Sequence, residues 1–520
     1  MIETELKPQK MKSPKNIMFL FLLILFSQCE KQIETHLNDF PLIPLPNFME
    51  ESGAAFVIET KTVLNFDSQD QSLINIAKQY KSIWELQTKM QLIASDKRET
   101  SDSKIELIKD SIHSEEAYDL DISKKSIEIR ASSSVGFYRA LTTLAQLLSF
   151  QKLNSKPSFI PTGLIKDAPK YSYRGAMLDV SRHFFTIKEV KQYIDLLALY
   201  KINFLHLHLS DDQGWRIEIK SWPKLTTYGG QTEVGGGAGG FYTQEDYKGL
   251  VAYAQDRFIT IIPEIDIPGH TNAALASYAA LNCDNKSPKL YTGIEVGFSS
   301  LCIDKEITFE FLDDVIREIS AITPGEYFHI GGDESHATKE ADYVIFINRA
   351  QDIVEKYGKK VIGWDEIQSS KIKPNTIAQY WADAENAKGA IRKGAKILMS
   401  PAKYAYLDMQ YDSLSPYGLH WASYISIKRG YDWIPEQLVD GIFEENIIGI
   451  EAPLWSETIT NFEELSYLAF PRILGYAEIG WSNTKKRNWD NYQTRLIEHG
   501  VLLDSLAINY YKSPNIPWKK

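Results

Sequence analysis

The chain has 520 residues, 44% hydrophobic and 24% charged, and a net charge of −11 from 57 basic and 68 acidic side chains. That length calls for more than one domain, or a large domain with a smaller companion, and the composition is that of an ordinary globular protein. The acidic balance argues against nucleic acid as a partner. Aromatic residues make up 12%, with 11 Trp and 28 Tyr; this fits simple packing and also the stacking of sugar faces on rings.

At the N-terminus, Lys12 and Lys15 precede the apolar run Ile17 to Phe26, and Ser27-Gln28-Cys29 follows. This is the pattern of an export signal, too short for a membrane-spanning helix, with Met11 as an alternative start. Phe26 to Cys29 resembles a bacterial lipoprotein cleavage box with Cys29 as the lipidated residue, although Gln28 replaces the usual small residue. A plainly secreted form is the alternative. The expectation is a signal peptide over 1–29, a polar tether over 30–40, and a protein of the bacterial periplasm or outer membrane, attached to lipid only through Cys29. Beyond Cys29 the cysteines are Cys283 and Cys302. Two cysteines in an exported protein predict one disulfide, two buried thiols being the alternative. No Cys/His spacing points to zinc, and no metal or cofactor is expected.

Residues 41–167 read as a small α+β domain. Short strands are expected at Phe56–Ile58, Ile105–Ile108 and Ser126–Ile129, and a helix over 136–150 from the spacing of Phe137, Leu141, Leu144, Leu147 and Leu148. From 168 to 520 the pattern changes. Eight β-type runs begin at Gly175, Phe204, Phe258, Tyr327, Val361, Ile377, Lys396 and Ile447, with helical segments between them. Their number and spacing predict a (β/α)8 TIM barrel, whose active site lies at the C-terminal strand ends. Polar and aromatic residues follow almost every run: Asp179, Asp211-Asp212, Glu264, Asp266, Asp333-Glu334, Trp364-Asp365, Trp381, Tyr406, Trp455 and Glu457.

The run Tyr327 to Ile330 enters Gly331-Gly332-Asp333-Glu334. Neighbouring residues on a strand face opposite ways, so the two carboxylates share a pocket only if the chain turns at the glycines. Carboxylates and Trp without metal ligands or a phosphate-cradling loop suggest glycoside hydrolysis. Ordinary glycosidases hold two carboxylates about 5 Å apart or roughly 6.5–9.5 Å apart, on opposite sides of the bond. Adjacent residues straddle a sugar poorly. They suit a reaction in which the substrate's 2-acetamido oxygen attacks the anomeric carbon, one carboxylate acts as acid and the other steadies the cation.

Four long motifs support this. They are Arg174 to Phe184 (RGAMLDVSRHF), His206 to Trp215 (HLHLSDDQGW), Pro263 to His270 (PEIDIPGH) and His329 to Glu334 (HIGGDE). Over Leu42 to Trp481 the chain resembles glycoside hydrolase family 20, the β-N-acetylhexosaminidases, a substrate-assisted class. The resemblance implies Glu334 as acid then base and Asp333 as the residue orienting the acetamide. It implies Arg174 on ring hydroxyls, Trp364, Trp381 and Trp455 as pocket walls, and Tyr406 donating to the acetamido oxygen. Asp408 and Glu457 would hold distal hydroxyls, and His270 with one of Asp211 and Asp212 (Asp212 is preferred) would support Glu334.

Blander readings exist for each. Arg174 fits a structural ion pair, each Trp fits core packing, and His183, His206 and His208 read better as satisfied structural histidines than as a metal set. The expected substrate is an oligosaccharide or glycoconjugate ending in GlcNAc or GalNAc, cleaved from the non-reducing end. A lacto-N-biosidase-like release of a disaccharide and an inactive glycan-binding surface lipoprotein are the alternatives.

Overall fold

The structure is a computed structural model that describes residues 1, 35–67, 69–97, 99–111, 114–151 and 158–519. The export signal, Cys29 and residues 30–34 of the tether lie outside the described residues. The rest of the tether is packed: Thr35 donates to Ala54 O, and Leu37 is fully buried. Ordered packing therefore begins by residue 35, ahead of the boundary read from sequence.

The N-terminal domain is a mixed sheet of β1 (Phe48–Val57), β2 (Lys61–Asn65), β3 (Gln91–Ser95), β4 (Lys104–Lys109), β5 (Tyr118–Ile122), β6 (Ser126–Ala131) and β7 (Phe159–Asp167), in the order β1-β7-β5-β6-β4-β2-β3. Two helices pack on it, α1 (Gln71–Thr88) and α2 (Ser134–Phe150). Asp70 caps α1 by accepting from Ser72 N and Leu73 N, and Ser133 caps α2 at Gly136 N. The apolar face expected for α2 (Phe137, Leu141, Leu144, Leu147, Leu148) is buried against strand residues such as Ile105, Ile127 and Ile129.

The second body is a closed parallel barrel of β8 (Tyr173–Asp179), β9 (Phe204–His208), β10 (Thr260–Glu264), β11 (Tyr327–His329), β12 (Lys360–Trp364), β13 (Ile377–Tyr380), β14 (Lys396–Met399) and β15 (Ile447–Leu454). Each of the eight runs read from sequence supplies one strand. Period-2 alternation sorts their side chains. Leu205, Leu207, Ala176, Leu178 and Phe328 face the surrounding helices. Tyr173, Ile262, Ile362, Ile377 and Leu398 fill the lower lumen. Above that apolar layer the lumen becomes polar, with buried His206, Glu264, His329, Gln379 and Glu451. The crossover helix α3 (Ile187–Leu199) opens with a capping box between Thr186 and Glu189.

The barrel floor meets the N-terminal domain through charge and aromatic contacts. Glu116 binds Arg139 Nε at 2.8 Å and Arg174 Nη2 at 2.5 Å. Lys201 Nζ lies 3.1 Å from Asp167 Oδ2 and over the ring of Trp481, which joins the N-terminal core. Arg174 thus belongs to this floor. On β8 the even-numbered residues point out of the lumen, and position 174 is at the strand's N-terminal end. Its Nη1 and Nε also donate to Tyr171 O and Lys201 O. The sugar-binding role expected for Arg174 is corrected accordingly: its side chain is fully buried at the end of the barrel away from the acidic pair.

Candidate active site

The turn expected after β11 is present. Gly331 and Gly332 have φ of 63° and 102°, and a Cβ on Gly331 would lie 1.8 Å from Asp266 Oδ1. Only glycine fits there. Gly332 N donates to the same Asp266 oxygen at 3.0 Å, and Glu334 itself is held at φ 44°. This backbone lets the neighbouring carboxylates converge on one group. His270 Nε2 is 3.7 Å from Asp333 Oδ2 and 3.6 Å from Glu334 Oε2. The Asp333 side chain is 11% exposed and that of Glu334 30%, so both are reachable from the strand-end side.

Behind them lies a buried network. His270 Nδ1 is 3.3 Å from Asp211 Oδ1, and Asp211 Oδ2 lies 2.8 Å from both His208 Nε2 and Arg182 Nη1. Asp212 does not join it. Its Oδ1 accepts from Asn272 N at 2.8 Å and Ser299 Oγ at 2.5 Å. The supporting residue is therefore Asp211, and the preference for Asp212 is corrected. The physical reason is that the chain turns between the two: Asp211 Oδ1 accepts from Asp212 N at 2.5 Å, which sends the second side chain the other way.

Electrostatics follow from this packing. Burial alone would lower the His270 pKa, but Asp211, Asp266 and Asp333 raise it well above the usual histidine value. Burial raises Glu334, yet His270, whose Nε2 lies 3.6 Å away, and Arg182 bring it below the ordinary carboxylate value. Asp333 is raised by burial and by Glu334, against the pull of His270. Asp266 is raised well above the usual carboxylate value by burial and the charge of Asp333.

The other walls come from the later strands. Trp364 and Trp455 have ring centroids 5.8 Å apart, Tyr406 lies 6.3 Å from Trp455, and Trp381 stacks toward Tyr406 at 6.5 Å. Glu366 accepts the indole N–H of Trp381 at 3.1 Å, and Asp365 accepts its backbone N–H, fixing that wall. Burial and the charges of Asp333 and Asp408 push the Tyr406 hydroxyl upward, keeping it a donor. Asp408 and Glu457 lie close enough that, after burial, Glu457 is the main influence raising Asp408.

Two site residues escaped sequence reasoning. Arg182 sits 4.7 Å over the Trp455 ring and is flanked by Asp211 and Asp179. Burial lowers its pKa, but Asp211, Asp179 and Glu457 outweigh it and the net shift is upward. Its position just past β8 was the signal that favoured it over Arg174. Trp421, 57% exposed, meets Trp381 and Tyr406 edge-on at 6.1 and 6.0 Å. It lies in the long loop after β14, where strand-end reasoning does not reach.

Several carboxylate–histidine groups here also have atoms within cation-holding range of one another. The Trp364 N–H on Glu264 and the Gly332 N–H on Asp266 fit hydrogen-bonded carboxylates better than a cation shell.

A parallel barrel with an acidic pair and aromatic walls at its C-terminal rim is a glycoside hydrolase arrangement. Comparison with known proteins makes this specific. Residues 171–343 and 336–484 match the profile of the glycosyl hydrolase family 20 catalytic domain, and residues 39–168 that family's domain 2. A β-N-acetylhexosaminidase of Cellulomonas fimi is 39% identical over 485 residues, covering 92% of this chain and 97% of that one. A β-hexosaminidase of Porphyromonas gingivalis is 34% identical, covering 95% of this chain and 67% of the relative. The solved Streptomyces plicatus N-acetyl-β-hexosaminidase, in complex with Thio-NAglucal, superposes with a TM-score of 0.88 at 43% identity, covering 94% of this chain and 99% of its own. The chain belongs to glycosyl hydrolase family 20 and is a glycoside hydrolase with β-N-acetylhexosaminidase function.

Proposed function

We propose that the enzyme removes single terminal GlcNAc or GalNAc residues from the non-reducing end of glycans, by substrate-assisted catalysis with retention. The observation that carries this reading is the convergence of Asp333 and Glu334 on one nitrogen of His270. Two carboxylates so placed do not reach opposite faces of a sugar ring, so the nucleophile is supplied by the substrate's acetamide.

In this reading a proton passes from His270 Nε2 to Glu334 and from Glu334 to the leaving oxygen as the acetamido oxygen closes on C1. The oxazolinium ion carries positive charge beside Asp333, which accepts its N–H. The Tyr406 hydroxyl donates to the acetamido oxygen, and the indoles of Trp364, Trp381 and Trp455 exclude water from the ring. Glu334 then deprotonates the water that opens the intermediate. Arg182, in place of Arg174, joins Asp408 and Glu457 in holding ring hydroxyls. Complexes of Streptomyces plicatus enzyme mutants with product GlcNAc support the substrate class.

The test pairs p-nitrophenyl N-acetyl-β-glucosaminide with the matching glucoside. Turnover of the first and near-silence on the second is expected; equal turnover would overturn the mechanism. Release of disaccharide in place of monosaccharide from an oligosaccharide would select the lacto-N-biosidase-like alternative, and no turnover of either the binding-protein one. Export with acylation of Cys29 is a companion proposal, resting on Ile17 to Phe26 and the box that follows. Metabolic labelling with a fatty-acid analogue, lost in Cys29→Ser, tests it.

A further inference from the structure

Glu264 ends β10 fully buried, yet an indole N–H and three imidazole nitrogens lie within 3.0 Å of its carboxylate. Oε1 accepts from Trp364 Nε1 at 3.0 Å and faces His329 Nδ1 at 2.9 Å. Oε2 faces His206 Nε2 at 3.0 Å and is bonded to His208 Nδ1. Two of these partners lead to opposite sides of the site. Trp364 is a wall of the aromatic pocket. His208 continues through Nε2 to Asp211 at 2.8 Å, and Asp211 to His270, which faces Glu334.

We propose that Glu264 is a positioning residue that couples the two sides: one buried carboxylate fixes the Trp364 indole and, through His208, Asp211 and His270, the proton supply of Glu334. The proposal rests on the reading of Glu334 as the acid. Its physical basis is the hydrogen-bond inventory of His208. An ionised carboxylate only accepts, so an imidazole with a carboxylate on each nitrogen donates from both and is cationic. His208 is raised well above the usual histidine value: burial and the charge of Arg182, whose Nη1 is 3.2 Å from Nε2, oppose this, and Glu264 and Asp211 outweigh them. A cationic His208 and Arg182 together keep Asp211 ionised. Asp211 then accepts the Nδ1–H of His270 and leaves Nε2 to exchange a proton with Glu334. This is how an outer partner selects the state of an inner histidine.

Other charges face these groups and remain in place when Glu264 is changed. Around Glu264 they are His206 and His208 from β9, His329 from β11, and Asp266 and Asp333 from the loops above. Around Asp211 and His270 they are Arg182, Asp212, Asp266, Asp333 and Glu334. Glu264 also raises Asp266 and Asp333 directly, so the link is isolated by His208→Gln, which leaves the Glu264 charge in place.

The experiment compares Glu264→Gln and His208→Gln with Glu334→Gln, using an activated aryl glycoside, a GlcNAc disaccharide, and a thiazoline inhibitor; circular dichroism verifies folding. Glu264→Gln is expected to lower kcat/KM on the disaccharide by about 10²-fold, the scale of a small misplacement of a catalytic group. It should lower it less on the aryl substrate, move the alkaline limb of the pH profile and weaken the thiazoline. His208→Gln should show the same leaving-group bias and limb shift; its ring packs edge-on against Trp455 at 4.9 Å, so the thiazoline is read on Glu264→Gln alone. Folded variants with equal losses on both substrates and an unmoved pH profile would overturn the proposal, as would a Glu264→Gln that binds the thiazoline with wild-type affinity. If Glu264→Gln does not fold, His208→Gln alone decides: an unmoved limb overturns the coupling. A Glu334→Gln without leaving-group bias would instead overturn the acid assignment, and the proposal with it.

Discussion

Asp211 accepts from His270 Nδ1, and Asp212, the next residue, turns its carboxylate away to Ser299 and Asn272. Adjacent acids in one motif therefore do different work, one on the proton network and one on the loop that backs it. Asp211→Asn should lower kcat/KM by about 10²-fold or more, within the range of lost acid–base assistance. Asp212→Asn retains an acceptor oxygen and should cost far less activity. Kinetics of the two variants on one substrate check this, and a reversed ranking would contradict the network.

The two arginines of the first motif should separate cleanly. Arg174→Ala removes a partner of Glu116 in the floor and should destabilise the fold by about 3–5 kcal/mol, the cost of breaking a buried pair. Enzyme that remains folded should keep its KM. Arg182→Lys keeps a charge but loses the planar guanidinium that lies 4.7 Å over the Trp455 ring, so KM should rise and kcat fall with little change in unfolding temperature. Denaturation curves and kinetics on both variants decide it.

Glu116 gives the floor a defined pH response. Burial raises its pKa, but Arg174 and Arg139 outweigh that and bring it from 4.5 to about 2. The folded value lies below the unfolded one, so the stabilisation is present above pH 4.5 and is lost as pH falls through about 2. Its size is about 3 kcal/mol, from the width of the shift. Glu116→Gln should therefore be markedly less stable than the parent at neutral pH, with the gap narrowing as the pH falls from 4.5 toward 2. Unfolding titrations at several pH values measure the gap; one that stays constant would show that Glu116 is not ionised in the way described.

Much of this was legible in the sequence for a physical reason. Barrel strands are buried on both faces, so they read as short apolar runs, and the chemistry collects where those runs end. That logic located Asp333, Glu334, Trp364 and Trp455. It was not applied to Arg174, which begins its strand and faces the helix layer, although Arg182 follows the same strand's end. The Asp211/Asp212 choice depended on a turn that residue types do not specify. Trp421 was missed because its loop has no periodicity; Glu264 was read at its strand end, but the nitrogens that gather on it come from three strands and meet only in three dimensions. His206 and His208, read as structural histidines, do sit buried, but His208 also touches Asp211 of the site.

The loop behind His270 is held by a covalent staple. Cys283 and Cys302 are bonded, with Cα atoms 4.9 Å apart, and the segment they close carries much of the support for the Pro268–Thr271 turn. Leu301 N donates to Pro268 O at 3.0 Å, Thr271 N to Ser299 Oγ at 2.8 Å, and Ser299 Oγ to Asp212. Closing a loop of 19 residues restricts the unfolded chain by about 3 kcal/mol in the chain-entropy account. The Cys283→Ser/Cys302→Ser variant should therefore unfold several degrees lower. It should also lose some activity, because a looser Ser299 frees Asp212 and slackens the turn that presents His270 to Glu334. Thiol titration of the unfolded, unreduced protein, produced by export and lacking Cys29, should find no free thiol. Two reactive thiols, or a double variant with unchanged unfolding temperature, would remove the staple from this account.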